Sequence, residues 1–425
     1  MQITQLAFAW LLAASAAAQP YDLILKGGHV IDPKNKIDGP MDVAIAAGKI
    51  AAVQPAIDAA QARQVLDVKG LHVTPGLVDL HVHLFATTGL RNAVAGDNSV
   101  LPDGFSFRSG TTTMVDAGSA GWRNFESFRH SVIDRAQTKV FALINITGLG
   151  MSTDVPEQVP ADFQPDQVAL VAAKHRDIVV GVKTAHFRKP EWISVDRAVE
   201  AGRLANIPVM VDFGSFLVER PYWKLVTERL RPGDISTHCF RGGVPWVDEN
   251  YRLYDYLLQA RARGVKFDVG HGGGSFIFRN AVPAIQQGFY PDAISTDLHA
   301  GSMNGTMMDL PTTMSKFLVM GMPLPEVILR TTWNPARIIN HPEVGHLTIG
   351  AVADVAVLRV AKGDFAYRDA MNGRLRGTQR IFCELTLREG RIVWDLNARS
   401  GTDYTELGRK YGLKPGIDVE VPPKN

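Results

Sequence analysis

The sequence is poor in several features that would mark a specialised class of protein. Only two cysteines occur in 425 residues. Cys239 and Cys383 lie far apart and lack metal-type spacing, which excludes a disulfide scaffold. Cys239 follows His238 directly, so on a strand it points away from whatever His238 faces and reads as a packing residue. The formal charge is only +2, and no run of like charge occurs, so nothing suggests a nucleic-acid or anionic-membrane partner. Heptads, low-complexity blocks and internal repeats are also missing. Beyond the N-terminus no apolar stretch is long enough to span a bilayer. No glycine-rich phosphate turn follows the first strand, which argues against a doubly wound nucleotide-binding sheet.

What is present is an ordinary globular composition, 46% apolar and 21% charged, on a chain long enough to bury a substantial core. The opening "MQITQLAFAWLLAASAAAQPYD" has an apolar run followed by small residues. It is similar to a secretory signal peptide over residues 1–18, cleaved near Ala18, although no basic residue precedes the run. The expected location is therefore outside the cytoplasm, periplasmic or extracellular.

From Tyr21 to Val73, short strands alternate with glycine turns, as in "YDLILKGGHVID" and "MDVAIAAGKIAAVQ". The same grammar returns in "GHLTIGAVADVAVLRV" and "CELTLREGRIVWD". Residues 21–73 and 342–400 are thus expected to form one small β-sandwich from both chain ends, with 401–425 as a tail. Between them, residues 74–341 alternate buried strands with helical runs. The strands are "LVDLHVH", "TTTMVDAG", "KVFALINIT", "IVVGVKTAH", "IPVMVDFG", "DISTHCF", "VKFDVGHG" and "AISTDLH". Helix-like runs include "VDRAVEAGRLAN", "ENYRLYDYLLQARARG" and "MSKFLVMGM". Eight strands with crossover helices predict an α/β fold, a closed (β/α)8 TIM-like barrel.

Functional side chains of such a barrel gather at the C-terminal ends of its strands. Those ends carry His81 and His83, then Lys183, Asp212, His238, His271 and Asp297. His81 and His83 are two residues apart, so a strand places both imidazoles on one face, an arrangement that suits a cation. A lysine aimed into a barrel is costly unless its charge is removed or paired. Asp297, at the last strand end, is either a base beside a cation or a helix cap.

The segments "PGLVDLHVH", "GTTTMVDAGS", "VGVKTAH", "STHCFRGG", "VGHGGGSF", "STDLHAGSMNG" and "NPARIIN" followed by "GHLTIGAVADVAVL" resemble the amidohydrolase superfamily. Within it they are most similar to the dihydroorotase-like branch of amidohydrolases and deacetylases. The resemblance implies a metal-dependent hydrolase acting on carbon–nitrogen bonds other than peptide bonds. It places His81 and His83 on a first divalent metal, His238 on a second, and Lys183 between them as a carbamate. Asp297 becomes both metal ligand and proton carrier. Asp212 stands where many relatives have histidine. It either ligates metal or pairs with an uncarbamylated Lys183, so one or two ions remain open, with zinc expected and manganese as the alternative. His271, His299 and His186 are the expected substrate contacts, and the loop "AGSMNGT" borders the pocket. Arg241 is a candidate for a substrate carboxylate. The implied reaction is hydrolysis of an N-acyl amino acid, a small cyclic amide or a related ester, with Asp297 moving the proton of a metal-activated water. The alternatives are a dihydroorotase-type cyclic amide hydrolase and a non-catalytic binding module. The partner is a small-molecule substrate, and a homo-oligomer is left open.

Overall fold

A strand just ahead of the barrel joins the two chain ends into one sheet. In the computed structural model, which describes residues 19–409 and 411–413, Tyr21–Asp32 pairs antiparallel with Ile37–Ala46 and parallel with His72–Pro75. His72–Pro75 in turn pairs antiparallel with Val355–Arg368, which continues into Arg374–Arg388. The pattern that drives this is alternation. Leu23, Leu25, Val30 and Val43 pack on one face with Val355 and Leu385, while Ile24, Ala44 and Ala52 pack on the other. Each such buried aliphatic side chain stabilises the sheet by roughly 1.5–3 kcal/mol relative to exposure. The export-signal segment, 1–18, and the end of the tail, from 414 onward, lie outside the described residues. No helix among the described residues is long and apolar enough to cross a membrane.

The second sheet is the barrel. Its parallel strands follow chain order: Leu77–Val82, Thr111–Gly121, Lys139–Asn145, Val179–Thr184, Val209–Val211, Ile235–Ser236 and Lys266–Phe267. These strands are buried on both sides, which explains their continuous apolar character. Leu80, Val115, Phe141, Leu143, Met210 and Ile235 fill the interior. Val82, Ile144, Val182, Val209 and Val211 face the surrounding helices.

Residues 293–298 close the ring as its eighth staves, through parallel bridges from Asp268 to Ala293 and from Val82 to Leu298. They do not form a regular ladder, because a side chain takes over part of it. Buried Asp79 accepts from the Thr296 amide at 3.0 Å and the Thr296 hydroxyl at 2.6 Å, tying the first strand to the last.

Two sequence expectations need adjustment. The helix expected over "ENYRLYDYLLQARARG" begins only at Asp255. Asp248 Oδ1 accepts from the amides of Asn250 and Arg252, both at 2.8 Å, and this turn competes with helix. Strict alternation also fails in the first barrel strand, where pairing is irregular between Asp79 and Val82. Leu80 and His81 therefore both face inward, while Val82 joins the outer layer.

Candidate active site

Past that irregularity, the His81 and His83 rings converge, with centroids 5.6 Å apart. Asp297 reaches them from the opposite side of the closure. Its Oδ1 lies 3.2 Å from His83 Nε2 and 3.6 Å from His81 Nε2. Among the described residues, His81, His83 and Asp297 are the group whose ligand atoms all lie within 4.8 Å of one another, and all three are buried. This donor set fits a divalent cation: two imidazole nitrogens and one carboxylate, all buried.

The surroundings fix which nitrogen each histidine presents. Thr237 Oγ1 donates to Asp268 Oδ2 at 2.7 Å, so it accepts from His81 Nδ1 at 2.9 Å. His238 Nδ1 donates to the Gly270 carbonyl at 2.6 Å, and His83 Nδ1 meets Ser119 Oγ at 2.9 Å. All three rings therefore turn Nε2 inward, the arrangement in which an outer hydrogen bond orients a metal-binding imidazole. Burial, reinforced by the Lys183 charge, pushes His81 down to about 3, so its ring is neutral. Burial works against the Asp297 carboxylate, yet the His81, His83 and His238 rings outweigh it and hold the group below the usual carboxylate range.

The backbone is strained at the same place. His186, His238 and Asp297 have φ of 53°, 55° and 50°, a left-handed conformation that costs a non-glycine residue of order 1–3 kcal/mol. Gly272 leaves room beside Asp297, since a Cβ there would sit 2.4 Å from Oδ2. Oδ1 thus faces the imidazoles while Oδ2 lies over a glycine.

Lys183 is buried beside this group, its Nζ 3.1 Å from His81 Nε2 and 3.8 Å from the Met210 sulfur. The acids that might have paired with it are engaged elsewhere, Asp297 with the two histidines and Asp212 with its own cluster. Burial pushes the Lys183 amine down from its ordinary value, toward the neutral, nucleophilic form. Asp212 Oδ1 accepts from Arg241 Nη1 at 3.0 Å, and Oδ2 lies 3.0 Å from His186 Nε2 and 3.4 Å from His238 Nε2. Burial opposes ionisation, but His238 and His186 hold Asp212 well below the usual range. Arg241 is therefore spent on Asp212. His186 bridges Asp212 to Glu157, with Nδ1 3.0 Å from Glu157 Oε2. Burial lowers its pKa, yet the two acids outweigh that and raise it to about 10.

The remaining expected contacts fall differently. His271 is fully buried: Nδ1 lies 2.8 Å from the Gly272 carbonyl, Nε2 is 2.6 Å from Lys316 Nζ, and Phe276 stacks on the ring at 4.6 Å. Both its nitrogens are used within the protein. His299 Nδ1 accepts from the Gly301 amide at 3.1 Å and caps the short helix Ala300–Met303. The cap considered for Asp297 is thus supplied by His299. Cys239 is buried in the outer layer, and both cysteines are free.

Sequence reasoning missed the residues that hold these groups. Thr237, Asp268 and Ser119 orient the histidines; an acid in the apolar strand "KFDVG" was the available signal for Asp268. Lys316 was missed entirely. It donates to the Thr306 and Arg368 carbonyls at 2.7 and 2.8 Å as well as facing His271, so it fastens the loop after the last stave to the sandwich.

On the His186 side of the site lies a cavity of about 500 Å³, lined by Arg91, Glu157, His186, Arg188 and Ser152 among others, and joined to the histidines through the His186–Asp212–His238 contacts. Comparison with known proteins bears on what such a site does. No protein-family model matches the chain. A deacetylase from Agrobacterium fabrum is 36% identical over 344 residues, covering 79% of this chain and 82% of its own. Among solved structures, an adenine deaminase superposes with a TM-score of 0.79 at 30% identity, covering 88% of this chain and all (100%) of that one. A dihydroorotase superposes with a TM-score of 0.76, also at 30% identity, covering 88% of this chain and 97% of that one.

Proposed function

The chain belongs to the amidohydrolase superfamily, in the branch of deacetylases and dihydroorotases, and we propose that it hydrolyses the amide bond of an N-acyl amino acid. At the coarser level it is a hydrolase of non-peptide carbon–nitrogen bonds, which sets aside the non-catalytic module. The observation that carries the proposal is the convergence of buried His81, His83 and Asp297, with the imidazole Nε2 atoms inward, and a cavity of small-molecule size lies at neighbouring His186. A divalent ion held there, zinc in the first instance or manganese, would supply an activated water and polarise the scissile carbonyl.

The chain's own residues supply the rest. Thr237, Ser119 and the Gly270 carbonyl hold the three imidazoles in one orientation. Asp297 turns Oδ1 to the imidazoles, which leaves Oδ2 to accept the proton of the attacking water and pass it to the leaving nitrogen. Lys183, buried and without an ion-paired acid, with its amine lowered from its ordinary value, is suited to react with carbon dioxide and become an anionic ligand. A second ion would need Asp212 to give up Arg241 and His186, so we expect one ion per chain. Export, on the strength of the apolar segment before Ala18, is part of the same proposal.

Asp297→Asn is the test. With metal content and thermal stability at wild-type level, turnover should fall about 10²–10⁴-fold, the usual contribution of a positioned proton carrier. Retained turnover in a variant of confirmed metal content would sink the assignment. The second reading, a dihydroorotase-type ring opening, is favoured by the dihydroorotase likeness, and a parallel assay with dihydroorotate decides between them.

A further inference from the structure

Three features at the barrel mouth are left unused by the chemistry above, and they complement one kind of molecule. The first is cationic. Arg91 and Arg188 line the same cavity. Exposed Arg91 makes no ion pair among the described residues. Arg188 makes one, to Asp154 at 2.8 Å, with both side chains more than half exposed at 62% and 58%. Such a pair is worth little and exchanges readily for a better one. Two arginines lining one cavity suit a carboxylate.

The second feature is a buried acceptor. Glu157 lines this cavity and is 3% exposed. Its Oε2 is taken by His186, but Oε1 has no hydrogen-bond partner. A buried acceptor left without a donor is costly, so a ligand bringing an N–H to it is favoured over one that cannot. The third feature is apolar. A neighbouring cavity of about 640 Å³ shares Ser152 and Thr153 with the first and is walled by Phe85, Leu90, Leu149 and Val155. Leu149 and Val155 are exposed to the extent of 44% and 63%.

We infer that these three features form one binding site for an N-acylated amino acid bearing a bulky apolar group. Its carboxylate meets Arg91 and Arg188, its amide N–H meets Glu157 Oε1, and its apolar group enters the chamber beside Phe85. The inference rests on the hydrolase reading and narrows it from amides in general to one class, setting esters below amides.

Four compounds separate the features: N-acetyl-phenylalanine, its C-terminal carboxamide, O-acetyl-phenyllactate and N-acetyl-glycine. The last three each lack one feature. Each omission should lower kcat/KM by about tenfold or more, the scale for an unpaired buried group or a lost apolar contact. In Arg91→Met/Arg188→Met the ratio between acid and carboxamide should collapse toward one. In Glu157→Gln the ratio between amide and ester should shrink. Calorimetric binding of the same compounds to metal-stripped wild-type protein reads the site without turnover. A binding ladder in this order without hydrolysis would overturn the hydrolase reading and keep the site. Hydrolysis of all four at equal efficiency, with ratios untouched by the variants, would overturn the inference alone.

Discussion

Substituting Gly272 by alanine should disable the site with little damage to the fold. Gly272 has φ of +53°, and an added Cβ would meet Asp297 Oδ2 at 2.4 Å. Ordinary contact begins near 3.4 Å, so the carboxylate must retreat by about 1 Å. The left-handed conformation costs alanine roughly 1–2 kcal/mol, and forcing the Asp297 side chain off its rotamer adds about 0.5–1.5 kcal/mol. The expected loss of stability is therefore about 1.5–3.5 kcal/mol, which a folded protein of this size tolerates. Catalysis is less tolerant, since a misplacement of about 1 Å is worth roughly 10²-fold in rate. The internal control lies two residues on in the same glycine run. At Gly274 no atom lies within 4 Å of an added Cβ, so Gly274→Ala should behave as wild type. Urea unfolding, metal content and kcat/KM of both variants are the assays. Equal activity in Gly272→Ala and Gly274→Ala, with metal bound in both, would refute the placement of Asp297 Oδ2 over Gly272.

Lys316 gives a pH-dependent expectation. Burial holds it at about 7 against 10.5 for a free lysine, so between these values the unfolded chain binds the extra proton. Stability from this group rises with pH across that window, by at most about 5 kcal/mol, and the cost of burying its charge is fully present below pH 7. The stability of wild type minus that of Lys316→Met should therefore rise from pH 6 to pH 9.5 in urea titrations; a constant difference contradicts it. Asp268→Asn weakens the hold on Thr237 and through it on His81 Nδ1. Metal affinity, measured by competition with a chelator, should fall by about 10–100-fold, and an unchanged affinity would show that His81 does not need this support.

The barrel was readable in the sequence because each strand buries both faces and so appears as an apolar run ending in a polar residue. His81, His83, Lys183, His238 and Asp297 come from four such ends, those of the first, fourth, sixth and eighth staves, and the structure brings them into one volume. What stayed hidden has a common cause. Thr237 and Ser119 look like any β-strand hydroxyl until the partner ring is in place. The Lys316–His271 pair joins residues 45 apart, on a helix and a strand end, with no local pattern to announce it. Glu157 and Arg91 sit on long loops whose course depends on tertiary packing, not on periodicity. The rim position of His271 and His299 points to substrate, and only the tertiary structure supplies their partners, Lys316 and the Gly301 amide.

The left-handed residues carry this argument one step further. Local rules reserve positive φ for glycine, yet Asp297 holds φ of 50°, so its backbone opposes the residue that its chemistry requires. Two variants at this one position separate the contributions. Asp297→Ala and Asp297→Gly both remove the carboxylate and both should be inactive. Alanine retains the strain, whereas glycine relieves it, by about 1–2 kcal/mol. The greater freedom of glycine in the unfolded chain returns roughly 0.4–1 kcal/mol of that. Asp297→Gly should therefore unfold at higher urea than Asp297→Ala, by a net of about 1 kcal/mol. A glycine variant no more stable than the alanine variant would mean that the backbone at Asp297 is not strained. The carboxylate would then be held at the site by ordinary geometry and not against a local preference.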